Sequence, residues 1–91
     1  MKVRWARPAL ADLDVQLTFQ RKVDPTWARL TAARIERSVS HLVAHPEMGR
    51  PGRIAGTREL VVPATPYVVT YRVIDDRVEI LALLHASRKP R

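Results

Sequence analysis

Apolar positions follow a helical spacing in the first half of the chain and a strand spacing in the second. Residues 2–6, KVRWA, alternate and carry Val3 and Trp5, which predicts a short first strand. From Pro8 to about Val23, Leu10, Leu13 and Leu17, joined by Val15 and Phe19, form a wide helical stripe. Pro8 suits a first turn, and Asp12 and Asp14 lie toward the end where the helix dipole favours acids. VDPTW then punctuates: Asp24 can cap and Pro25 can open a second helix running to about Ala44. Ala28, Ala32, Ile35, Val39 and Leu42 make its apolar stripe and leave Arg29, Arg34, Arg37 and His41 on other faces.

RELVV, YVVTYRVI and RVEILALL are β-rich runs divided by PATP and by Asp75-Asp76, a two-residue hairpin turn. Counting back from that turn sets Tyr71 opposite Ile80, Val69 opposite Ala82 and Tyr67 opposite Leu84, the apolar face on which the helices should pack. The other face pairs Arg72 with Glu79, Thr70 with Leu81 and Val68 with Leu83, and His85 emerges on that side. The order β-α-α-β-β-β predicts an α+β fold: an N-terminal strand, then a helical hairpin packed on a small, mainly antiparallel sheet. Residues 1–91 read as one domain.

Composition narrows the partners. With 46% hydrophobic and 27% charged residues the chain can form a core, so disorder is not expected. The absence of cysteine excludes disulfides and thiolate metal sites and fits a reducing cytosol. The N-terminus has no apolar signal region, and ILALL at 80–84 is too short to span a bilayer, so no membrane partner and a cytoplasmic location are expected. The net charge is +7, carried almost wholly by arginine, since only Lys2, Lys22 and Lys89 are lysines. Guanidinium matches phosphate and carboxylate forks, which leaves nucleic acid or an acidic protein as partner, or a plainly solvated basic surface.

The segment HPEMGRPGRIAGTREL, residues 45–60, gathers Arg50, Arg53 and Arg58 among Gly49, Gly52 and Gly56. It reads either as a display of cations toward a large acidic partner, with Arg58 the best held, or as a solvated loop whose glycines serve turn geometry. His41 and His45 have a metal-compatible spacing but no third ligand, and a helix C-terminus favours them as capping residues. Glu59 and Glu79 read as structural, Glu79 through Arg72. Trp5, Trp27, Tyr67 and Tyr71 are too thinly interleaved with cations for a base-stacking platform and read mostly as core or interface. No phosphate-cradling GxxxxGK loop, nucleophile elbow or zinc knuckle is present, so no metal and no cofactor are expected.

Taken together, RPALADL after the opening strand, then HPEMGRPGR, GTRELVV, YVVTYRV and VEILALLHASR, make the chain resemble the toxins of the RelE/ParE superfamily of type II toxin-antitoxin pairs. The resemblance implies a growth inhibitor held inactive by a cognate small acidic antitoxin that wraps its surface. RelE-like members are ribosome-dependent ribonucleases that cut mRNA, whereas ParE-like members poison DNA gyrase. Many of the ribonucleases carry an arginine in the middle strand, as in YRLVY, where YVVTY here places Val68. By the same resemblance Arg88 aligns with a catalytic arginine of RelE-like sequences, His85 falls one position from a histidine used by some relatives, and Glu47 lies near a glutamate base. The expectation is a ParE-like toxin acting on gyrase by binding, with Arg50, Arg53, Arg58, His85 and Arg88 toward the target. The alternatives are a RelE-like endoribonuclease using Arg58, His85 and Arg88 on ribosome and mRNA, or an inactive protein of the same fold.

Overall fold

In the computed structural model, which describes residues 1–86, strand β1 (Lys2–Trp5) turns through Ala6 into helix α1 (Arg7–Val23). Asp24 alone separates α1 from helix α2 (Pro25–Ala44) and serves both helices. Its N–H closes α1 on the Gln20 carbonyl at 2.7 Å, and its carboxylate accepts from the Thr26 and Trp27 amides at 3.1 and 3.2 Å. This is the cap expected from VDPTW, and it forces the chain to reverse.

Four strands follow: β2 (Arg50–Pro51), β3 (Arg58–Val61), β4 (Tyr67–Ile74) and β5 (Arg77–His85). With β1 they form one sheet in the order β1-β5-β4-β3-β2, antiparallel except that β1 runs parallel to β5. The expected α+β order is present. Two-residue β2, which the sequence suggested was loop, is an added strand; so short a segment has no readable period, and only its pairing with β3 defines it.

The hairpin register departs from expectation partway along. Tyr71 faces Ile80 and Arg72 faces Glu79 as expected, but Thr70 then faces Ala82, Val69 faces Leu83, Val68 faces Leu84 and Tyr67 faces His85. Leu81 is the extra residue of a β-bulge. The slip occurs where β1 ends: its last pair is Trp5 with Ile80, and beyond it the Asp12 carboxylate of α1 accepts the Leu83 amide at 3.1 Å. As a result Leu83 turns to the core in place of Ala82 and Leu84, and His85 stands opposite Tyr67, not on the Thr70 side.

The core lies between the helices and one sheet face. Tyr67, Val69, Tyr71, Val78, Ile80 and Leu83 pack against Ala9, Ile35, Val39 and Leu42, with Trp5 and Leu13 at its margin. Each fully buried aliphatic side chain contributes about 1.5–3 kcal/mol. α2 buries Ala28, Ile35, Val39 and Leu42 of its expected stripe and leaves Ala32 half-buried, whereas α1 leaves more uncovered: Val15, Phe19 and Val23 are 63%, 65% and 71% exposed. Leu13 and Val15 are two residues apart, about 200° around a helix, so one sheet cannot cover both.

On the opposite face Glu79 lies between Arg72 of β4 and Arg4 of β1, in register with both. Its carboxylate accepts from Arg72 Nε at 2.9 Å and lies 2.7 Å from Arg72 Nη2. The Arg72 hydrogen bond holds its pKa below the ordinary 4.5 against the opposing effect of burial, with help from the charges of Arg72, Arg77 and Arg4. A depressed folded-state pKa contributes stability above the unfolded value and loses it as pH falls through the folded one. Glu79→Gln should therefore melt below wild type at pH 7, and the gap should narrow as pH falls below 4.5 in a series of thermal melts.

Candidate functional site

The arginine-bearing segment is bolted to the core at several points. The Tyr71 hydroxyl, fully buried, donates to the Pro46 carbonyl at 2.7 Å and accepts the Gly49 amide at 2.9 Å. Arg58 Nη1 donates to the Gly49 carbonyl at 2.8 Å and lies 3.4 Å from that of Glu47. A Cβ at Gly49 would come within 2.7 Å of the Tyr71 ring, so only glycine fits this turn. Farther on, the Gly52 amide donates to the Thr57 carbonyl at 2.8 Å, and the Thr57 hydroxyl donates to the Ile54 carbonyl at 2.6 Å. A Cβ at Gly52 would run into that hydroxyl.

This scaffold separates the arginines that the sequence groups. Arg50 pairs in register with Glu59 and Pro51 with Arg58, and successive strand residues point to opposite faces. Arg50 therefore projects over the sheet face away from the helices, its side chain 65% exposed and its Nη2 3.1 Å from Glu59 Oε1. Such an exposed pair contributes little, about 0–1 kcal/mol, and yields readily to a partner. Arg58 lies on the helix side, its guanidinium occupied by the turn before β2.

Arg50 and Arg53 border one small depression on the open face, with Val68, Leu84 and Glu59 among its walls; His85 reaches its rim from the end of β5, but in register with Tyr67 it belongs to the helix side. His85 also meets the Tyr67 ring edge-on at 5.8 Å. Val68 is only 8% exposed and faces Leu84 and Val61 across the sheet, so this position offers neither acid, base nor cation. Glu47 is exposed on the turn before β2. Arg88 lies outside the described residues. Among those described, no group of three or more His, Asp and Glu side chains could hold a metal, and no helix is long and apolar enough to cross a membrane.

The sequence did not single out Tyr71 and Gly49 as holding the arginines. Tyr71 read as one more apolar residue of an alternating strand, and its hydroxyl finds its partners 22 and 25 residues away. A second region was equally unannounced: a groove of about 480 Å³ where α1 and α2 part above β1, walled by Trp5, Leu10, Leu13, Val39 and Val43, with Glu36 and Ser40 as its polar members.

Residues 3–90 match the profile of the ParE toxin of type II toxin-antitoxin systems, parDE. Among curated proteins the chain is similar to a candidate toxin, Y4kP, of Sinorhizobium fredii, with 43% identity over 97% of this chain and 91% of that one. It is also similar to toxin RelE2 of Caulobacter vibrioides, with 38% identity over 96% and 97%. Among solved structures it superposes on the chromosomal ParDE system from P. aeruginosa with a TM-score of 0.83 and 30% identity, over 93% and 95% of the two chains. The E. coli RelBE toxin-antitoxin complex shares the fold at a TM-score of 0.66 and 15% identity, over 96% and 98%.

Removing the buried hydroxyl tests the anchoring of this segment. Tyr71→Phe leaves the Pro46 carbonyl and the buried Gly49 amide without their partner. It should cost about 1–3 kcal/mol, seen as a lower urea midpoint at unchanged slope. Phe19→Ser on the exposed side of α1 should stay within about 0.5 kcal/mol of wild type in the same titration.

Proposed function

This chain belongs to the ParE toxin family of type II toxin-antitoxin systems, and we propose that it halts growth by binding and poisoning DNA gyrase until a small acidic antitoxin neutralises it. The observation that carries the choice of target is Val68. Cutting RNA through its 2′-hydroxyl requires a base, a cation beside the phosphate and an acid for the leaving oxygen. Here the middle-strand position that resembles the ribonuclease arginine holds a buried valine facing Leu84. Arg72, the cation nearest in sequence, shares the face of Val68 but is held by Glu79, and Arg58 is turned to the other face. The open face is thus suited to binding: exposed Arg50 and Arg53 stand beside Val68 and Leu84.

The antitoxin is supported by charge and by the unfilled groove. A +7 chain favours an acidic partner, and the apolar walls around Trp5, Leu13 and Val39 suit the hydrophobic side of a segment laid between the helices. The ParDE and RelBE likenesses are to toxin-antitoxin systems, in keeping with such a partner. Ribosome-dependent mRNA cleavage is the second reading, favoured by the likeness to RelE2.

Induction of the protein in cells, and its addition to a gyrase supercoiling assay, separates the readings. The expected result is a DNA-damage response and blocked supercoiling with ribosome-bound mRNA intact. Arg50→Ala with Arg53→Ala should weaken inhibition about tenfold, the loss of charge-assisted contacts, while each exposed substitution changes stability by no more than about 0.5 kcal/mol. Codon-specific cleavage of mRNA in the ribosome, abolished by His85→Ala or Arg88→Ala, would overturn gyrase as the target.

A further inference from the structure

We infer that Tyr71 and Arg58 are positioning residues that hold Arg50 and Arg53 in the direction a target must meet, an inference that rests on the toxin reading above and concerns how its binding face is kept in shape. Tyr71 is fully buried and cannot touch a partner. Arg58 belongs to the sheet face opposite Arg50. Yet both side chains converge on the same turn, residues 46–49, just before Arg50. Tyr71 holds it through the Pro46 carbonyl and the Gly49 amide, and Arg58 through the Gly49 carbonyl.

The strand that follows is too short to orient itself. β2 pairs with β3 through only Arg50 and Pro51, and beyond it the backbone is tied by the Gly52 amide to the Thr57 carbonyl. An isolated two-residue pairing is not independently stable. Its direction must come from the turn before it and from the closed loop after it. Gly49 and Gly52 permit the close approach on both sides, each at a point where a Cβ would collide with Tyr71 or Thr57.

Arginine carries many rotatable bonds, so a guanidinium displayed from a mobile loop loses much entropy when a partner captures it. Holding its backbone in advance removes part of that cost. The anchoring therefore bears on binding as well as stability. Arg58 contributes through its hydrogen bond to the turn, whereas Arg50 and Arg53 contribute by reaching the partner.

The test compares how much soluble protein per cell halts growth, a readout independent of which target is struck. The variants are Tyr71→Phe, Arg58→Met, Arg58→Lys and the pair Arg50→Ala with Arg53→Ala, each purified and checked by circular dichroism to be folded at the growth temperature. Tyr71→Phe and Arg58→Met should each require about tenfold more protein than wild type, like the loss of the two arginines themselves. Arg58→Lys, which can still donate to the Gly49 carbonyl, should recover most of the potency. Should Tyr71→Phe fail to fold, Arg58→Met and its lysine rescue decide the matter. Full potency of folded Tyr71→Phe or Arg58→Met beside a weakened double-alanine variant would overturn the positioning role and leave the toxin reading intact. Full potency of the double-alanine variant would overturn both the positioning role and the assignment of these arginines to the target. A wild-type protein that never halts growth would overturn the toxin reading itself.

Discussion

The Tyr71 hydroxyl joins two parts of the chain that secondary structure alone leaves independent. It projects from the central strand β4 through the core and reaches the backbone just after α2, where it replaces water for one carbonyl and one amide. A buried peptide group without a partner costs about 1–3 kcal/mol, so a chain that enters the core edge at this point must find such a hydroxyl or leave the core. With the turn held, β2 can lie against β3, and the sheet gains its fifth strand. The two glycines are consequences of the same constraint, since the backbone passes too close to Tyr71 and Thr57 for any side chain.

The basic charge is divided between work inside the fold and display outside it. Arg72 neutralises Glu79, Arg34 lies over the Trp27 ring at 5.4 Å and reaches toward the Ala64 carbonyl, and Arg58 is spent on the turn before β2. The Arg50 side chain is tethered by an ion pair to Glu59, and Arg53 stands exposed at the border of the same depression. The positive balance therefore does not act as a uniform coat. Arg50 and Arg53 are exposed over the sheet face that the helices leave uncovered, and Arg21, Arg29 and Arg37 are exposed on the helices.

The two candidate surfaces have different chemistry and lie on different sides of the sheet. The groove between the helices is apolar because its lining is, with half-exposed Leu10 at its edge and Leu13 and core residue Val39 in its walls. The depression on the open face is small, with cations at its border and Val68 and Leu84 in its walls. A partner that fills the first buries hydrocarbon, whereas one that meets the second exchanges solvated charge. One chain can thus present separate surfaces to an inhibitor and to a target, although the whole molecule has a radius of gyration of only 12.6 Å.

The sequence by itself determined whatever depends on neighbours in the chain. Asp24-Pro25 set the cap and the reversal, the spacing from Ala28 to Leu42 set the buried side of α2, and Asp75-Asp76 set the turn and the Arg72–Glu79 pair. The words GTRELVV and YVVTYRV likewise pointed to the superfamily, and Val68 was legible as a departure from its ribonuclease pattern. What only the tertiary structure decided were choices that local pattern leaves degenerate. ILALL is apolar at every position, so its alternation could not show the bulge at Leu81; the end of β1 and the reach of Asp12 fixed that. Val15 and Phe19 were as apolar as Leu13, but only one side of α1 can rest on a sheet. Arg58 read as the best held of three arginines facing one partner, but the pairing of β2 with β3 sent Arg50 to one face and Arg58 to the other, because side chains one residue apart on a strand must point opposite ways.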